Sequence, residues 1–242
     1  MSNDWLERTK LLIKDEGLAK LKSANILVVG LGGVGSFAAE FLARAGTGTM
    51  TIVDGDTVDI TNINRQLPAL HSTLGKSKAE VVGARLLDIN PDLQLTSLNQ
   101  FLNPEDMDDV LGRQKYDYVI DCIDSVTPKV NLILSARRKK IKIVSCMGAG
   151  GKMDPAKVLV RDIHKTQSCH LAKQVRKRLK TENIDKGVRC VFSSEIQDES
   201  SLKMTDGSNF KRSFYGTISY IPALFGLYAA AEVINYLIKK DE

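Results

Sequence analysis

A dense cluster of polar and charged side chains lies between residues 54 and 66, and its composition suits a chain of phosphates. The run reads DGDTVDITNINRQ, and two lysines, Lys76 and Lys78, follow it. Arginine and lysine neutralise phosphate charge, asparagine fixes phosphate geometry, and a carboxylate can hold magnesium. The cluster therefore predicts a nucleoside triphosphate site. Its candidate ligands are Asp54, Asp56, Asn62, Arg65, Gln66 and Lys78.

The glycine pattern Gly30-x-Gly32-x-x-Gly35 lies upstream of this cluster, between a short apolar run and a segment with helical periodicity. In that context the first glycine makes the tight turn, the second lets the backbone approach a phosphate, and the third allows close helix–strand packing. Gly33 belongs to the same turn, and Asp54 stands where the fingerprint places an acidic residue for a ribose hydroxyl. The pattern alone does not separate ATP from NAD, but the polar cluster favours ATP.

A parallel sheet is needed to bring these residues together. Strands are expected over residues 25–29, 49–53, 93–98, 116–120 and 141–145, and helices over residues 36–45, 76–90, 103–111 and 128–139. This alternation predicts an α/β, Rossmann-like, doubly wound and mostly parallel sheet. Ligands of such sheets bind outside the carboxyl ends of the strands, where the glycine turn, Asp54 and Asp124 would converge.

We expect one domain over residues 1–242 with three parts. These are N-terminal helices (1–24), a nucleotide-binding core (25–150) and a less regular substrate and dimer region (151–242). The last part contains an expected helix over 171–180, a strand over 189–193 and a polar loop or hairpin over 195–214. Its apolar stretch, 216–238, suits a buried core helix, with a membrane-surface or dimer contact as the alternative.

Composition limits the function classes only weakly. The chain has 242 residues and a net charge of +5, which permits an RNA partner but does not demonstrate one. Its four cysteines form no C-x-x-C pair, which argues against a zinc ribbon and favours free thiols in a reducing cytosol. The charged N-terminus lacks the apolar run of an export signal, so we expect a cytoplasmic protein.

Two basic runs could contact nucleic acid. Around residues 173–180, Leu171, Val175 and Leu179 recur at helical spacing and form the expected packing face, which would leave a basic face free for nucleic-acid phosphates. Residues 137–140 form a second basic run, which indicates contact with nucleic acid less strongly. For both runs the alternative is an ordinary solvated helix face. His71 could lie near the nucleotide, although an ordinary surface histidine explains it as well.

Several motifs together resemble the ubiquitin-activating-enzyme-like adenylyltransferases of the ThiF/MoeB/HesA type. They are GLGGVGS (30–36), VDGDTVDITNINRQ (53–66), GKSKAEV (75–81), INP (89–91) and DCIDS (121–125). Within this family the chain is most similar to the tRNA threonylcarbamoyladenosine dehydratase branch. That similarity adds RTKLLIKDEGL (8–18), DSVTPK (124–129), MGAGGKMDP (147–155), LAKQVRKRLK (171–180) and VFSSE (191–195).

The resemblance implies an enzyme that uses ATP and Mg²⁺ to adenylate the threonyl carboxylate of threonylcarbamoyladenosine in tRNA, after which the ring closes. It implies that Asp54 binds the ATP ribose, that Asn62, Arg65 and Lys78 contact phosphates, and that Asp124 holds magnesium. It also implies a homodimer in which Arg8 reaches the ATP site of the neighbouring subunit. Arg8, Arg65, Lys78 and Asp124 are therefore the candidate catalytic residues.

Other functions remain open at this point. One is activation of the C-terminal glycine of a ubiquitin-like sulfur carrier, in which Cys190, or else Cys169, would be the candidate nucleophile and a sulfur-relay partner would be needed. The absence of C-x-x-C pairs counts against that reading, because many carrier-activating relatives hold zinc. A non-catalytic nucleotide-sensing dimer and an NAD oxidoreductase are more distant alternatives.

Overall fold

Seven strands form one sheet in a computed structural model that describes residues 4–205 and 213–239, apart from the side chain of Asp4. The strand order is β3-β2-β1-β4-β5-β7-β6. The strands are β1 (Asn25–Val29), β2 (Thr49–Val53), β3 (Gln94–Leu98), β4 (Tyr118–Asp121), β5 (Lys142–Cys146), β6 (Val158–Asp162) and β7 (Arg189–Ser193). All neighbours are parallel except β6, which pairs antiparallel with β7.

Helices cover both faces of the sheet. They are α1 (Glu7–Ser23), α2 (Gly35–Arg44), α3 (Lys78–Ile89), α4 (Asp106–Val110), α5 (Val126–Arg138), α6 (His170–Thr181) and α7 (Tyr220–Ile238). Side chains alternate along β1, so Ile26 and Val28 pack in one core with α2, α3 and α7. Leu27 and Val29 pack in the other core with α4, α5 and α6. The predicted α/β, doubly wound fold is confirmed.

The strand register sets the position of the site. Val29 at the end of β1 is paired with Val53 of β2 and Asp121 of β4. The residues that follow these three strands therefore lie side by side at one edge of the sheet. The polar cluster, the glycine turn and the DCID segment meet at this edge, at the point where the strand order reverses.

The apolar C-terminal segment forms α7, which packs against α2. A Cβ atom on Gly226 would lie 2.4 Å from the carbonyl oxygen of Val34, so the glycine permits a very close helix contact. Ile221, Phe225 and Ala229 are buried in this contact. By length and composition α7 could span a membrane, but its packing on α2 is that of a core helix, as the sequence predicts. Its outer face leaves Leu227, Tyr228 and Tyr236 exposed.

The N-terminal segment forms two helical pieces within α1. Lys14, with φ of 63° and ψ of 178°, interrupts the helix and separates the piece that carries Arg8 from the piece that packs Leu18 and Leu21 into the protein. Leu11 and Leu12 are exposed on the first piece, and Trp5 is exposed just before α1 begins. The N-terminal helices that the sequence predicts are therefore two pieces joined at Lys14.

The expected boundary at residue 150 does not coincide with a change in architecture, because β7 and β6 extend the same sheet. β6 was missed by the sequence analysis, since VLVRD is short and follows a glycine-rich turn. The expected hairpin is present as β8 (Leu202–Met204) paired with β9 (Ser213–Tyr215), while residues 206–212 lie outside the described part of the chain. The predicted packing face of α6 needs one correction: Ala172, rather than Leu171, is fully buried with Val175 and Leu179.

Candidate functional site

The glycine turn and Asp54 form one hydrogen-bonded unit. Gly30 has a φ of +89°, and its N–H donates to the carbonyl of Val53 at 2.8 Å. The carboxylate of Asp54 accepts hydrogen bonds from the backbone N–H of Leu31 (2.6 Å) and from the N–H of Asp56 (2.8 Å). Burial raises the pKa of Asp54 above its ordinary value, against the lowering effect of these two bonds. Asp54 therefore holds the turn in shape. It also lines a cleft at this edge of the sheet, which is bordered by the glycine turn, the polar cluster, the DCID segment and the start of α6.

Space around the other glycines differs from one to the next. A Cβ atom on Gly35 would lie 1.7 Å from the carbonyl oxygen of Gly30, so no side chain fits there. At Gly33 a Cβ would come within 3.0 Å of both the Arg65 carbonyl oxygen and Pro222. At Gly32 the nearest protein atom, on Gln66, would be 3.6 Å away. Gly35 is thus required by packing, whereas Gly32 keeps the backbone accessible to a ligand in the cleft.

The segment after Asp54 is folded by its own polar side chains. Asp59 caps a short 3-10 helix (Ile60–Asn62) by accepting from the N–H of Thr61, and the buried Asn62 accepts from the N–H of Asp59 at 3.2 Å. Arg65 donates to the carbonyl of Thr61 at 2.9 Å. Partial burial lowers the pKa of Arg65, while the charge of Asp124 opposes that shift. This places Arg65 and Asp124 close enough to interact across the cleft.

Lys78 begins α3 and points into the same cleft. Its side chain is 5% exposed, and its Nζ lies 2.9 Å from the carboxylate of Asp56. The backbone N–H of Lys78 also donates to the carbonyl of Asp56 at 3.0 Å. A lysine held in this way by a half-exposed carboxylate is pre-positioned for a phosphate, because it needs little further ordering when the phosphate arrives.

Gln66 carries an unsatisfied buried atom at this site. Its Oε1 is buried without a hydrogen-bond partner among the described residues, and its side chain lies against Gly32. A buried carbonyl oxygen without a donor costs about 1–3 kcal/mol. A ligand that offers a hydroxyl or amino donor at Gly32 would remove this cost, which fits a nucleotide.

The end of β4 supplies both a buried and an exposed carboxylate. Asp121 is fully buried and pairs with Lys129 at 2.8 Å, and the hydroxyl of Ser145 donates to it. Asp124, three residues later, is exposed and lines the cleft just before α5. Asp121 is therefore a structural anchor, whereas Asp124 is exposed at the cleft, where a ligand would bind. Sequence reasoning identified Asp124 but did not single out Lys129.

The far side of the cleft contains residues that the sequence analysis missed. Gln197 donates to the carbonyl of Gly150 at 3.1 Å and accepts from the N–H of His170 at 3.0 Å. Lys152 is buried, and its Nζ donates to the carbonyl oxygens of Ser168 and Glu195. Burial lowers the pKa of Lys152. These contacts join the glycine turn after β5 to the start of α6. Only the GAGGK run, which follows a predicted strand, could have signalled them.

The cysteines do not offer an exposed nucleophile within the described residues. Cys146, Cys169 and Cys190 are buried, and Cys122 is half-buried. Burial raises the pKa of Cys190 well above the ordinary thiol value, which keeps it protonated and unreactive. Cys190 is therefore better explained as a packing residue of the core. This counts against the nucleophile role that the carrier-activating alternative would give it.

The basic runs differ in what their side chains contact. In the 137–140 run, Arg137 donates to the carbonyl of Gly187, and Arg138 pairs with Asp108. On α6, by contrast, Lys173, Lys177 and Lys180 are exposed on one side of the helix. Arg178 lines the cleft and donates to the hydroxyl of Thr127 at 2.7 Å. The α6 face is thus the better candidate for a polyanion.

Two other predicted positions lie away from the cleft in a single chain. His71 is exposed in the short helix His71–Thr73 and is not among the cleft residues, so the reading that places it near the nucleotide is not supported. Arg8 is also exposed and does not line the cleft of its own chain.

The chain is similar to known proteins over almost its entire length. The model of the ThiF family matches residues 6–242. The tRNA threonylcarbamoyladenosine dehydratase of Bacillus subtilis is 39% identical over 97% of this chain and 95% of the relative. The Escherichia coli protein of the same name is 39% identical over 99% of this chain and 97% of the relative.

Solved structures agree with the sequence comparison. The crystal structure of Escherichia coli tRNA N6-threonylcarbamoyladenosine dehydratase, TcdA, in complex with ATP matches with a TM-score of 0.87 and 38% identity, covering 98% of this chain and 96% of that one. The complex of that protein with AMP matches equally well. The Escherichia coli sulfur carrier protein ThiS adenylyltransferase is 33% identical, but over only 62% of this chain and 61% of the relative.

Proposed function

This chain belongs to the ThiF family, and we propose that it catalyses the ATP-dependent dehydration of threonylcarbamoyladenosine in tRNA. The observation that carries the proposal is the meeting of Arg65, Lys78 and Asp124 around the glycine turn, in a chain that matches the dehydratases over almost its entire length. The similarity to the ThiS adenylyltransferase covers only 62% of this chain, against 97% and 99% for two of the dehydratases, so the dehydratases are the better guide to its function.

The reaction proceeds in two steps. First, an oxygen of the threonyl carboxylate attacks the α-phosphorus of ATP, the bond to the β-phosphate breaks, and pyrophosphate leaves. A nucleophile of the carbamoyl group then attacks the acyl carbon and expels AMP, which closes the ring. The oxygen that is lost as water in the overall dehydration leaves with AMP. Intramolecular attack has a high effective molarity, so no acceptor protein is required.

The residues at the strand ends serve the first step. Arg65 and Lys78 neutralise charge that spreads over the phosphates during transfer. Asp54 keeps the N–H group of Leu31 oriented beside the glycine turn. Asn62 and Asp56 hold the segment and the lysine in place.

Magnesium fits the donor set of this cleft. No cluster of three or more histidine, cysteine or acidic side chains that could form a closed metal site occurs in residues 4–205 and 213–239. Mg²⁺ is commonly held by one or two carboxylates together with substrate phosphates and water. We propose that Asp124 is the protein ligand and that the ion lowers the charge of the phosphates.

The direct test uses purified protein, ATP, Mg²⁺ and tRNA that carries threonylcarbamoyladenosine. Mass spectrometry of the digested nucleosides should show a product lighter by one water, together with AMP and pyrophosphate. Unchanged tRNA nucleosides, combined with pyrophosphate exchange that depends on a ubiquitin-like carrier protein, would instead establish the carrier-activating function. Because the described cysteines are all at least half-buried, we include no sulfur-relay step.

Binding of tRNA is assigned to the exposed basic face of α6. Lys173 and Lys177 point to solvent, and Arg178 connects this face to the cleft. The double substitution Lys173→Glu/Lys177→Glu should weaken tRNA binding and reduce its salt dependence without changing ATP affinity. The control is Arg138→Glu, which also replaces a basic surface residue with an acidic one. Arg138 already pairs with Asp108, away from the α6 face, so tRNA binding should change little. A substrate of this kind also implies a cytoplasmic enzyme.

We further propose a homodimer in which Arg8 completes the ATP site of the other subunit. Arg8 is exposed on a helical piece that also exposes Leu11 and Leu12, at 67% and 82%, which is unusual for a piece without a partner. Mixed dimers of Arg8→Ala and Asp124→Ala chains test this arrangement. If Arg8 acts across the interface, random mixing restores about a quarter of the sites. If Arg8 acts within its own chain, mixing restores none.

A further inference from the structure

Ring closure makes a chemical demand that adenylation does not. The threonyl carboxylate is already ionised when it attacks ATP, so the first step needs no base. The carbamoyl nucleophile bears an N–H proton, which must leave as the ring forms. Arg65 and Lys78 are cations, Asp124 is assigned to a metal, and the carboxylates of Asp54 and Asp56 are held by backbone N–H groups and by Lys78. The second step therefore calls for a different proton acceptor.

We propose that His170 is the general base of ring closure, an inference that rests on the proposed function. His170 is the first residue of α6 and lines the cleft next to the glycine turn that follows β5. Because β5 neighbours β4 in the sheet, this turn lies beside the segment that carries Asp124. The histidine therefore belongs to the same cleft as Arg65, Lys78 and Asp124.

The backbone of His170 is fixed by a buried side chain. Gln197 is 8% exposed, and it bridges the N–H of His170 (3.0 Å) and the carbonyl of Gly150 (3.1 Å). Lys152 secures the same region by donating to the carbonyls of Ser168 and Glu195. Two buried polar side chains thus hold the start of α6 against the cleft wall.

The imidazole has an acidic neighbour that also lines the cleft. Its Nε2 lies 3.5 Å from the Oε1 of Glu199, and the side chain of His170 is 60% exposed. The ring of Tyr215 lies 6.3 Å away, centroid to centroid. With the hydrogen on Nε2, toward Glu199, the lone pair of Nδ1 is left to accept a proton.

The step balances with these groups alone. Nδ1 takes the N–H proton as the carbamoyl nucleophile bonds to the acyl carbon, and the bond between that carbon and AMP breaks. AMP leaves with the electron pair, and the imidazolium then returns its proton to solvent. Of the histidines in the described ranges 4–205 and 213–239, His170 alone lines the cleft: His71 is elsewhere on the surface, and His164 pairs with Asp162 at 2.7 Å.

The test separates the two steps in single-turnover experiments with ATP labelled at the α-phosphate and tRNA that carries threonylcarbamoyladenosine. The His170→Gln variant keeps a donor toward Glu199 but cannot take up a proton. Pyrophosphate release should match wild type, while AMP release and the dehydrated nucleoside are slowed at least ~100-fold and labelled AMP accumulates on tRNA. His164→Gln, with its own acidic partner, should behave as wild type in both steps.

Three results would overturn the assignment. Wild-type rates in both steps for His170→Gln would leave the dehydratase function intact and remove the histidine from it. Equal slowing of pyrophosphate and AMP release would show that the substitution disturbs the cleft as a whole. A wild-type protein that does not dehydrate tRNA would remove the proposed function and this step together. A thermal melt of His170→Gln equal to wild type establishes that the variant is folded.

Discussion

Lys129→Met removes the positive member of an ion pair that lies wholly inside the protein. The Nζ of Lys129 donates to Asp121 at 2.8 Å, to the hydroxyl of Ser145 at 3.2 Å and to the carbonyl of Cys146 at 2.9 Å. Both charged side chains are 0% exposed. Methionine fills a similar volume without a donor, so the carboxylate would keep only the Ser145 hydroxyl and the N–H of Ile123.

An unpaired buried charge is costly. Breaking a buried ion pair by removing one partner typically costs about 3–5 kcal/mol. For a chain of this size each kcal/mol lowers Tm by about 2–4 °C, so we expect a decrease of roughly 6–20 °C. The double variant Asp121→Asn/Lys129→Met removes both charges of the pair and leaves neither one unpaired, so it should be more stable than Lys129→Met alone. The pair also anchors α5 to β4 and β5, so Lys129→Met should reduce turnover through displacement of Asp124.

Urea unfolding followed by circular dichroism measures these free energies. Tryptophan fluorescence is unsuitable because the single tryptophan, Trp5, lies half-exposed at the N-terminal end. Lys22→Met, at an exposed lysine of α1, is the control for losing a lysine charge. A loss below about 1 kcal/mol for Lys129→Met, or a double variant as unstable as the sum of the two single variants, would refute the reasoning.

Three more outcomes follow from the site. Asp124→Ala should lower turnover by about 10²–10³-fold while isothermal calorimetry shows nearly unchanged ATP affinity, and an active variant would disprove the magnesium assignment. Gly35→Ala should abolish ATP binding and lower the free energy of unfolding by about 1–3 kcal/mol or more, because the new Cβ would overlap the carbonyl oxygen of Gly30. The control is Gly75→Ala, which should still bind ATP: Gly75 also has a positive φ (+77°), but no atom lies within 4 Å of its Cβ position. Burial raises the pKa of Asp54 above 3.8, so the folded protein favours the neutral acid and this contribution to stability is lost as the pH rises through the raised pKa. The unfolding free energy of wild type minus that of Asp54→Asn should therefore fall over that pH range, and a difference that stays flat or rises would contradict the burial argument.

Local sequence patterns were sufficient to predict which residues form the part of the candidate site around the glycine turn. Gly30, Gly35 and Asp54 belong to one strand–turn–helix–strand unit, and Arg65 and Lys78 follow within the next two dozen residues. Interactions over such short separations are set by strand ends and helix starts, which composition and periodicity reveal. The predicted strands accordingly match β1 and β2 at both ends and β7 in the second half.

The far wall of the cleft could not be predicted in the same way. Gln197 reaches back to Gly150 and His170, and Lys152 reaches forward to Glu195. Each is an ordinary polar residue in a segment without periodicity. Their importance arises only because β7 inserts between β5 and β6, which brings these segments together.

The amino-acid sequence by itself determined the fold class, the position of the glycine turn and the identity of the candidate phosphate-binding groups, because these depend on neighbours along the chain. Tertiary structure alone decided which carboxylate of the DCID segment is buried with Lys129, and which histidine meets the cleft. The physical reason is that burial and pairing depend on the packing of distant segments, and residues of the same type have opposite roles when that packing differs.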